Sequence, residues 1–592
     1  MAQNNDFYRI PFLLGVVGHR DLVAGEMPAI RAAVRALLED IRRKNPSVRQ
    51  TLLCSMAEGA DLLVAEVAAD LSIPIIALLP LPAAICRTEL ANDVDRAVFD
   101  RICAGAEILE LPVPGNATVD ELRESRDLRD KQFQHAGLLV ARYSTLLIAI
   151  WDGKDTKHRA GTARVIEYRR RGVPEELDGI ALPRNALLSP ADNDLIYEIS
   201  CHRRPGNGDG NTSGAQPSQP LPPPRFVAGG EVHGEGWPYP LRATLAGIGE
   251  FNLDVEKFSA GIDRTGRRLC PPSPYPVADR LQFLDGLFTA ADWLGRHFRA
   301  RFVRALALRY SLWAVMATLL IVFKKESEEL PGLLLMSGVL IAFAFGALLA
   351  RMARRGAWHR KYLDYRALAE GLRVEYYWEM AGVRRTSAGG FAHDTFLQKQ
   401  DIELEWIRAA MREVSLRLEL RHSGDYPAGF TETYAQWIGD EDPVNGSGQL
   451  LYYSQRYRKL KRRLEGEEHA QRILQVVGFA IAAVFLVDVV SELAHRPVFP
   501  ADTRLTLLWA LALLTVYAAI FEVYVTEKAD RALMRQYRYM RELFGHAVRE
   551  LRSLADEGDK LEVLRELGQA CLAEHAQWTL AHRDRRIEGL KW

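Results

Sequence analysis

Three glycine-containing turns carry the side chains of this chain that are best suited to bind a ligand. The first turn spans 15–21 and contains Gly18, His19 and Arg20. Glycine lets backbone N–H groups approach a phosphate closely, and an arginine can pair with a phosphate through two hydrogen bonds. This turn therefore predicts a contact with a phosphate group, in which His19 either touches the ligand or only braces the turn.

The second turn spans 55–61 and opens a predicted helix, whose N-terminus favours anions. Its candidate ligand contacts are Ser55, Glu58, Gly59 and Asp61. For Asp61 we prefer capping of the helix N-terminus to a catalytic role. Glu58 could cap the helix as well, or it could bind the hydroxyl groups of a ribose.

The third turn follows another apolar run with Trp151, Asp152 and Gly153, and Gly161 with Thr162 then enters a further helix. The carboxyl ends of parallel strands meet at one edge of a sheet, where ligands bind. We therefore expect the three turns to converge on one site for an anionic ligand. We assign no catalytic residue and no metal ligand.

The elements that must position these turns are short apolar runs that alternate with amphipathic stretches from 10 to 202, as in a parallel α/β sheet. The predicted strands and helices are 12–17, 51–54, 73–79 and 144–150, and 29–41 and 61–70. The fold class that we predict is an α/β Rossmann-like N-terminal domain. An α-helical membrane region with four transmembrane helices and long cytoplasmic helices follows it.

The four predicted membrane spans are 309–323, 333–350, 473–490 and 505–521. They are apolar all round, near the lower limit of length for a span, and arranged as two hairpins. Arginine and lysine cluster before and after each hairpin. By the positive-inside rule, this pattern predicts a multi-pass inner-membrane protein with its N- and C-termini in the cytoplasm.

Two carboxylates lie at the ends of predicted spans, Asp488 at the third and Glu522 at the fourth. We interpret them as interfacial side chains that reach toward water. The alternative for Asp488 is a carboxylate ring at the mouth of an oligomeric pore.

The composition excludes several classes of protein. The 592 residues include 76 Lys+Arg and 76 Asp+Glu, so no net basic field would attract nucleic acid, and we expect no nucleic-acid partner. The six cysteines form no C-x-x-C pair, which argues against a zinc knuckle or a disulfide framework. The first residues show no signal peptide, so we expect the N-terminal domain to stay in the cytoplasm.

The predicted organisation has five parts. They are 1–203, the nucleotide-binding domain; 204–235, a flexible Pro/Gly-rich linker or insertion; 236–295, a connector; 296–422, the first membrane unit; and 423–592, the second. The aromatic residues spaced along 359–380 are interpreted as helix packing just below the membrane.

The runs 18–22 (Gly-His-Arg-Asp-Leu), 57–61 (Ala-Glu-Gly-Ala-Asp) and 148–153, with Gly161-Thr162, resemble the SLOG superfamily of Rossmann-like nucleotide-binding domains over most of 10–202. The two membrane halves are similar to SLATT domains, which are two-helix membrane effectors. The run 365–373 carries this similarity in the first half, and Glu574 with Trp578 carries it in the second.

The resemblance implies a bacterial antiphage system. In it, the SLOG domain senses a nucleotide-derived signal, such as a cyclic ADP-ribose or an NAD-derived molecule. The SLATT helices of a homo-oligomer then form or open a pore among the membrane lipids. No other cofactor is required.

Some SLOG relatives are phosphoribohydrolases with a Pro-Gly-Gly-x-Gly-Thr-x-x-Glu motif, in which the glutamate is catalytic. Here 157–160 precede Gly161, and Val165 occupies the glutamate position. A general acid–base group supplies a factor of roughly 10²–10⁴, so its absence favours a sensor. The alternative is a membrane-tethered nucleotide- or NAD-processing hydrolase that uses Glu58 as its acid, and a third class is a structural membrane scaffold.

Overall fold

The computed structural model describes residues 8–113, 117–154, 161–171, 195–204, 221–234, 236–269, 277–325, 329–383, 402–420, 427–442, 446–493 and 498–583. The chain divides into two compact units. The first, here named the sheet unit, comprises Met1–Leu294, Ala367–Pro427 and Leu564–Gln577. The second, named the helix unit, comprises Gly295–Arg366, Ala428–Val563 and Trp578–Trp592. Each unit therefore combines segments that are distant in the chain.

The sheet unit contains one eight-stranded sheet. Its strands are β1 (Pro11–Gly18), β2 (Arg49–Cys54), β3 (Ile75–Leu79), β4 (Glu107–Glu110), β5 (Leu146–Trp151), β6 (Ile196–Ser200), β7 (Arg225–Ala228) and β8 (Glu231–His233). Their order is β4-β3-β2-β1-β5-β6-β7-β8. The pairs from β4 to β6 are parallel, and β7 and β8 add in antiparallel fashion. The predicted α/β sheet is confirmed, and β1 is the strand where the order changes direction.

The central strands are short apolar runs because both of their faces are covered, as in parallel sheets generally. Every residue from Leu146 to Ile150 in β5 is fully buried. Four of the eight strands were not predicted. Two of them, β4 and β6, lie within the predicted α/β domain, and the other two, β7 and β8, lie in the stretch interpreted as a linker. Residues 205–220 of that stretch lie outside the described part of the chain.

The helices formed by the described residues are α1 (Met27–Lys44), α2 (Ala60–Asp70), α3 (Ala83–Thr88), α4 (Asp93–Cys103), α5 (Val119–Glu124), α6 (Arg126–Tyr143), α7 (Thr162–Arg171), α8 (Tyr239–Thr265), α9 (Val277–Lys325), α10 (Glu329–Arg355), α11 (Trp358–Ala381), α12 (Glu405–Leu420), α13 (Pro427–Thr433), α14 (Gly448–Leu493), α15 (Ala501–Lys528), α16 (Asp530–Ser553) and α17 (Glu557–Arg583). Helix α8 lies in the predicted connector. Its buried Asn252 accepts a hydrogen bond from the Ile10 N–H and donates one to the Ile10 carbonyl, both at 2.9 Å. The connector is thereby fastened to the start of β1.

Four helical segments are long and apolar enough to cross a membrane, which confirms that part of the prediction. They are Leu281–Phe323, Leu330–Ala381, Gly448–Leu493 and Ala501–Ser553. Large apolar side chains along them are exposed, for example Ile341 at 70% and Phe479 at 79%. Contiguous apolar exposure of this kind marks a surface that something other than water covers.

The apolar helices contact one another within the helix unit. The Thr318 hydroxyl of α9 lies 2.5 Å from the Tyr517 hydroxyl of α15, a hydrogen bond between two spans. A Cβ added at Gly478 of α14 would lie 3.0 Å from Leu514 of α15. Glycine permits this close approach, which is typical of packing between membrane helices.

Asp488 does not reach toward water as we predicted. Its carboxylate is fully buried, and its Oδ1 accepts hydrogen bonds from the N–H groups of Val498 and Phe499, at 3.0 and 2.9 Å. The Oδ2 lies 2.6 Å from Arg504 Nε. Asp488 thus ties the end of α14 to the start of α15. A carboxylate engaged in this way is also poorly suited to a ring at a pore mouth.

Candidate functional site

The first two turns meet at the carboxyl ends of β1 and β2. The Ala60 N–H donates a hydrogen bond of 3.1 Å to the His19 carbonyl. A Cβ at Gly18 would lie 2.3 Å from the Cβ of Ala60, and one at Gly59 would lie 2.4 Å from the Arg20 carbonyl oxygen. Gly59 also has φ +82°, a conformation that favours glycine. Both glycines are therefore required for the turns to come together.

The third turn joins them from β5. The His19 N–H donates to the Ile150 carbonyl at 3.1 Å, and the His19 ring nitrogen Nε2 lies 3.0 Å from Asp152 Oδ1. The three turns therefore lie next to one another, and their role as one site for an anion stays a prediction. His19 is 6% exposed, so its ring braces the first turn against the third.

Asp152 is held in its ionised form. Burial opposes ionisation, but hydrogen bonds from the Lys154 N–H and from His19, together with the charge of Arg203, hold the pKa of Asp152 below its ordinary value. Arg203 was not among the predicted site residues; it follows β6, and its Nε donates to both carboxylate oxygens of Asp21 at 3.0 Å. The signal that could have revealed it is the basic run 202–204 directly after an apolar stretch.

Asp61 does not cap the helix, so that preferred interpretation is wrong. Gly59 occupies the N-cap position of α2 and offers no side chain. The buried Asp61 carboxylate instead accepts a hydrogen bond from the Ala57 N–H, at 3.4 Å, within the turn that precedes the helix. Burial raises the pKa of Asp61 to about 7, against the smaller lowering effects of this hydrogen bond and of Arg20.

The rim of the site carries the polar side chains that remain accessible. Arg20 is exposed, and its guanidinium lies 4.7 Å from the centre of the Phe133 ring. Ser55 and Glu58 are half-buried, and Glu58 makes no hydrogen bond or ion pair with any described residue. Met56 beside them has φ +57°, a strained conformation of the kind found at ligand-binding turns.

Other predicted contacts lie at the edge of the site or in the core. Trp151 packs partly against the core of the sheet unit, so its indole serves the fold. Gly153 has φ +75° and is exposed. Gly161 and the buried Thr162 begin α7. Residues 155–160, which precede them, lie outside the described part of the chain.

Val165, which the resemblance aligns with the hydrolase glutamate, is part of the core. Val165 is 4% exposed and packs with Leu138, Ala141 and Tyr168. A Cβ at Gly137 of α6 would lie 2.6 Å from Val165 Cγ2, so the two helices touch there. A carboxylate at 165 would have to be buried in this apolar contact.

No protein-family model, curated protein or solved structure matches the chain. The chemistry of the site therefore follows from its own geometry. It presents an exposed guanidinium, a helix N-terminus and a glutamate that has no partner within the described part of the chain, all at the edge of a parallel sheet. Among the described residues, no cluster of histidine, cysteine or carboxylate side chains could hold a metal ion.

Proposed function

We propose that this chain is a membrane effector that responds to a nucleotide-derived anion. The observation that carries the proposal is the meeting of three turns where β1 lies between β2 and β5, in a chain that also has four membrane-length helices. In Rossmann-like sheets, ligands bind at the carboxyl edge where the strand order changes direction. Arg20 and the N-terminus of α2 supply the positive potential that a phosphate requires.

The resemblance to SLOG and SLATT domains extends the proposal to antiphage defence. Binding of the signal biases a homo-oligomer in the inner membrane, with cytoplasmic termini, toward a state in which the hairpins form or open a pore. Only a ligand that binds the open state more tightly than the closed one can shift this equilibrium.

We favour a sensor over a hydrolase because of Val165. Its surroundings are apolar, and the acid that the hydrolase motif requires is replaced by a side chain that packs α7 against α6. The turns and the helix N-terminus that bind a phosphate remain in place.

Arg20→Ala tests the binding site. We expect it to weaken the binding of ADP-ribose or NAD to the full-length protein in detergent by about 1.5–3 kcal/mol, the range for a charged hydrogen bond. Isothermal titration calorimetry measures this change. The matched control is Arg43→Ala, which removes an equally basic and 78% exposed side chain from α1. Unchanged affinity in Arg20→Ala would contradict the role of that residue.

Permeability and turnover separate the sensor from the hydrolase. Liposomes that contain the full-length protein should release a trapped dye when the ligand is added, and NAD should remain intact. If NAD is cleaved and the cleavage is lost in Glu58→Gln, the protein is an enzyme. If the liposomes stay sealed although the ligand binds, the hairpins form no pore.

A further inference from the structure

The helix unit contains a cavity of ≈ 1380 Å³ that plays no part in the proposed nucleotide site. Its described lining includes six lysine and arginine side chains and three carboxylates, an excess of three positive charges. Two of these carboxylates already have a basic partner: Glu527 lies 2.6 Å from Arg309, and Asp530 pairs with Lys528. Arg463 of the lining also has a carboxylate partner, Glu467, at 3.1 Å. The lining as a whole still carries more positive than negative side chains, which favours an anion in this cavity.

The basic residues of the cavity come from segments next to membrane spans. Arg456, Lys459 and Arg463 are spaced at i, i+3 and i+7, so they share one face of α14 before its apolar part. Arg299 on α9 lies 6.0 Å from the centre of the Tyr362 ring, which also lines the cavity. Basic side chains of two different helices, α9 and α14, thus line the same cavity.

The same cavity extends along α9 to the residues at which the first predicted span begins. Tyr310 and Trp313 of α9 line it, together with Val523 of α15. From Arg299 to Trp313 the helix rises about 21 Å, so the cavity extends from the basic segment to the start of the apolar one. Tyrosine and tryptophan are enriched at the level of lipid headgroups.

A buried donor in the lining supports this assignment. The indole Nε1 of Trp578 is buried and has no hydrogen-bond partner among the described residues. Buried polar groups of proteins are nearly always paired. A phosphate or ester oxygen in the cavity would accept this hydrogen bond.

We propose that the cavity binds the phosphate group of an anionic phospholipid from the bilayer. The phosphate lies against the basic face of α14 and Arg299, and the acyl chains follow Tyr310 and Trp313 into the membrane. The aromatic and apolar end of the cavity favours a lipid over a free phosphate. The site lies in the helix unit and does not depend on ligand binding at the sheet edge.

Native mass spectrometry of the full-length protein tests the proposal. The delipidated protein in nonionic detergent is titrated with dioleoyl-phosphatidylglycerol and, separately, with dioleoyl-phosphatidylcholine. We expect retained adducts of phosphatidylglycerol in clear preference to phosphatidylcholine. Each lysine or arginine near a lipid surface contributes roughly a fivefold gain in affinity, so Arg456→Gln/Lys459→Gln/Arg463→Gln should weaken phosphatidylglycerol binding by about 100-fold.

A matched triple variant on the same helix controls for general electrostatics. Arg458→Gln/Lys461→Gln/Arg462→Gln removes the same number of charges from exposed positions that do not line the cavity. We expect less than about a threefold change in this control. An equal loss in both triple variants, or equal binding of the two lipids by the unaltered protein, would overturn the proposal.

Two further measurements complete the test. Lys459→Gln alone alters one exposed side chain and should weaken phosphatidylglycerol binding about fivefold; an unchanged affinity would count against the site. Inorganic phosphate is the competitor that distinguishes the two sources of the anion. If millimolar phosphate displaces the lipid completely at low lipid concentration, the cavity binds a free anion and the lipid proposal fails.

Discussion

Two apolar segments of this chain have similar side chains and opposite surroundings. In β5 every residue from Leu146 to Ile150 is fully buried, whereas α15 has no buried residue along Ala501–Lys528. Both segments avoid water, but a six-residue strand is too short to cross a bilayer and a 28-residue helix is not. The comparison shows that the length of an apolar run, together with its neighbours, decides whether protein or lipid covers it.

One buried carboxylate in each unit provides a second comparison, because the two carboxylates differ in their hydrogen bonds and in their cation partners. Asp61 in the sheet unit accepts one backbone hydrogen bond, and no described residue forms an ion pair with its carboxylate. Asp488 in the helix unit accepts two backbone hydrogen bonds and lies 2.6 Å from Arg504. The first is therefore expected to respond to pH, and the second to stabilise a turn as an ion pair.

The largest expected loss of stability distinguishes a buried apolar strand from an exposed apolar helix face. Ile148→Ala creates a cavity in β5 and should cost about 4–5 kcal/mol, the upper part of the range for such a change. Phe479→Ala, on an exposed face, should change stability by less than about 0.5 kcal/mol. Hydrogen exchange of the full-length protein in detergent measures both losses, since core β5 amides should exchange about 1,000-fold faster in Ile148→Ala. Similar losses in the two variants would mean that protein covers Phe479.

The buried carboxyl group of Asp61 should make the free energy of unfolding depend on pH. The folded pKa of about 7 lies above the ordinary value of 3.8, so between pH 4 and 7 the folded state keeps a proton that the unfolded chain has released. Raising the pH through this window therefore lowers the free energy of unfolding, by at most about 4 kcal/mol, and the loss levels off above pH 7.

Asp61→Asn should remove most of this pH dependence because the amide does not ionise. The thermal midpoint of the full-length protein, followed from pH 4.5 to 8, measures the effect. Asp70→Asn on the same helix, where the side chain is 54% exposed, is the control that should leave the profile unchanged. A wild-type midpoint that does not fall with rising pH would contradict the burial of an unpaired Asp61.

The smallest of the three expected losses of stability concerns the buried carboxylate of Asp488. Asp488→Asn removes one of the two carboxylates that pair with Arg504, whose Nη1 keeps Glu492 at 2.5 Å. We expect the free energy of unfolding to fall by less than in the two preceding tests, because an asparagine oxygen still accepts the two backbone hydrogen bonds and Arg504 keeps Glu492. Unfolding in detergent titrated with sodium dodecyl sulfate measures this loss.

The double variant Asp488→Asn/Arg504→Gln should lose less stability than the sum of the losses in Asp488→Asn and Arg504→Gln, which demonstrates the coupling of the two residues. Currents in planar bilayers provide the second readout. Unchanged ion selectivity in Asp488→Asn fits a residue that stabilises the turn, whereas a changed selectivity would restore the carboxylate ring as the better interpretation.

Much of the candidate site could be predicted because its signals are local. Glycine at 18 and 59 after apolar runs indicated turns at strand ends, and parallel pairing brings such ends to one edge. Arg203 could not be predicted in the same way, because its contact with Asp21 joins positions 182 residues apart in sequence. Asp61 was misjudged since an acidic residue in a first helical turn is usually exposed and capping, and only burial reveals otherwise.

The sequence alone predicted the surroundings of each apolar region. The four long apolar runs predicted helices that can cross a membrane, and the short apolar runs predicted strands buried in a sheet. Run length and periodicity are properties of neighbouring residues, so they can be read without a fold. Only the tertiary structure decided which side chains lose water, which carboxylate meets a cation, and where basic residues of separate helices enclose a cavity. These outcomes depend on contacts between distant segments, and the free energy of a charged group follows from such contacts rather than from its own sequence position.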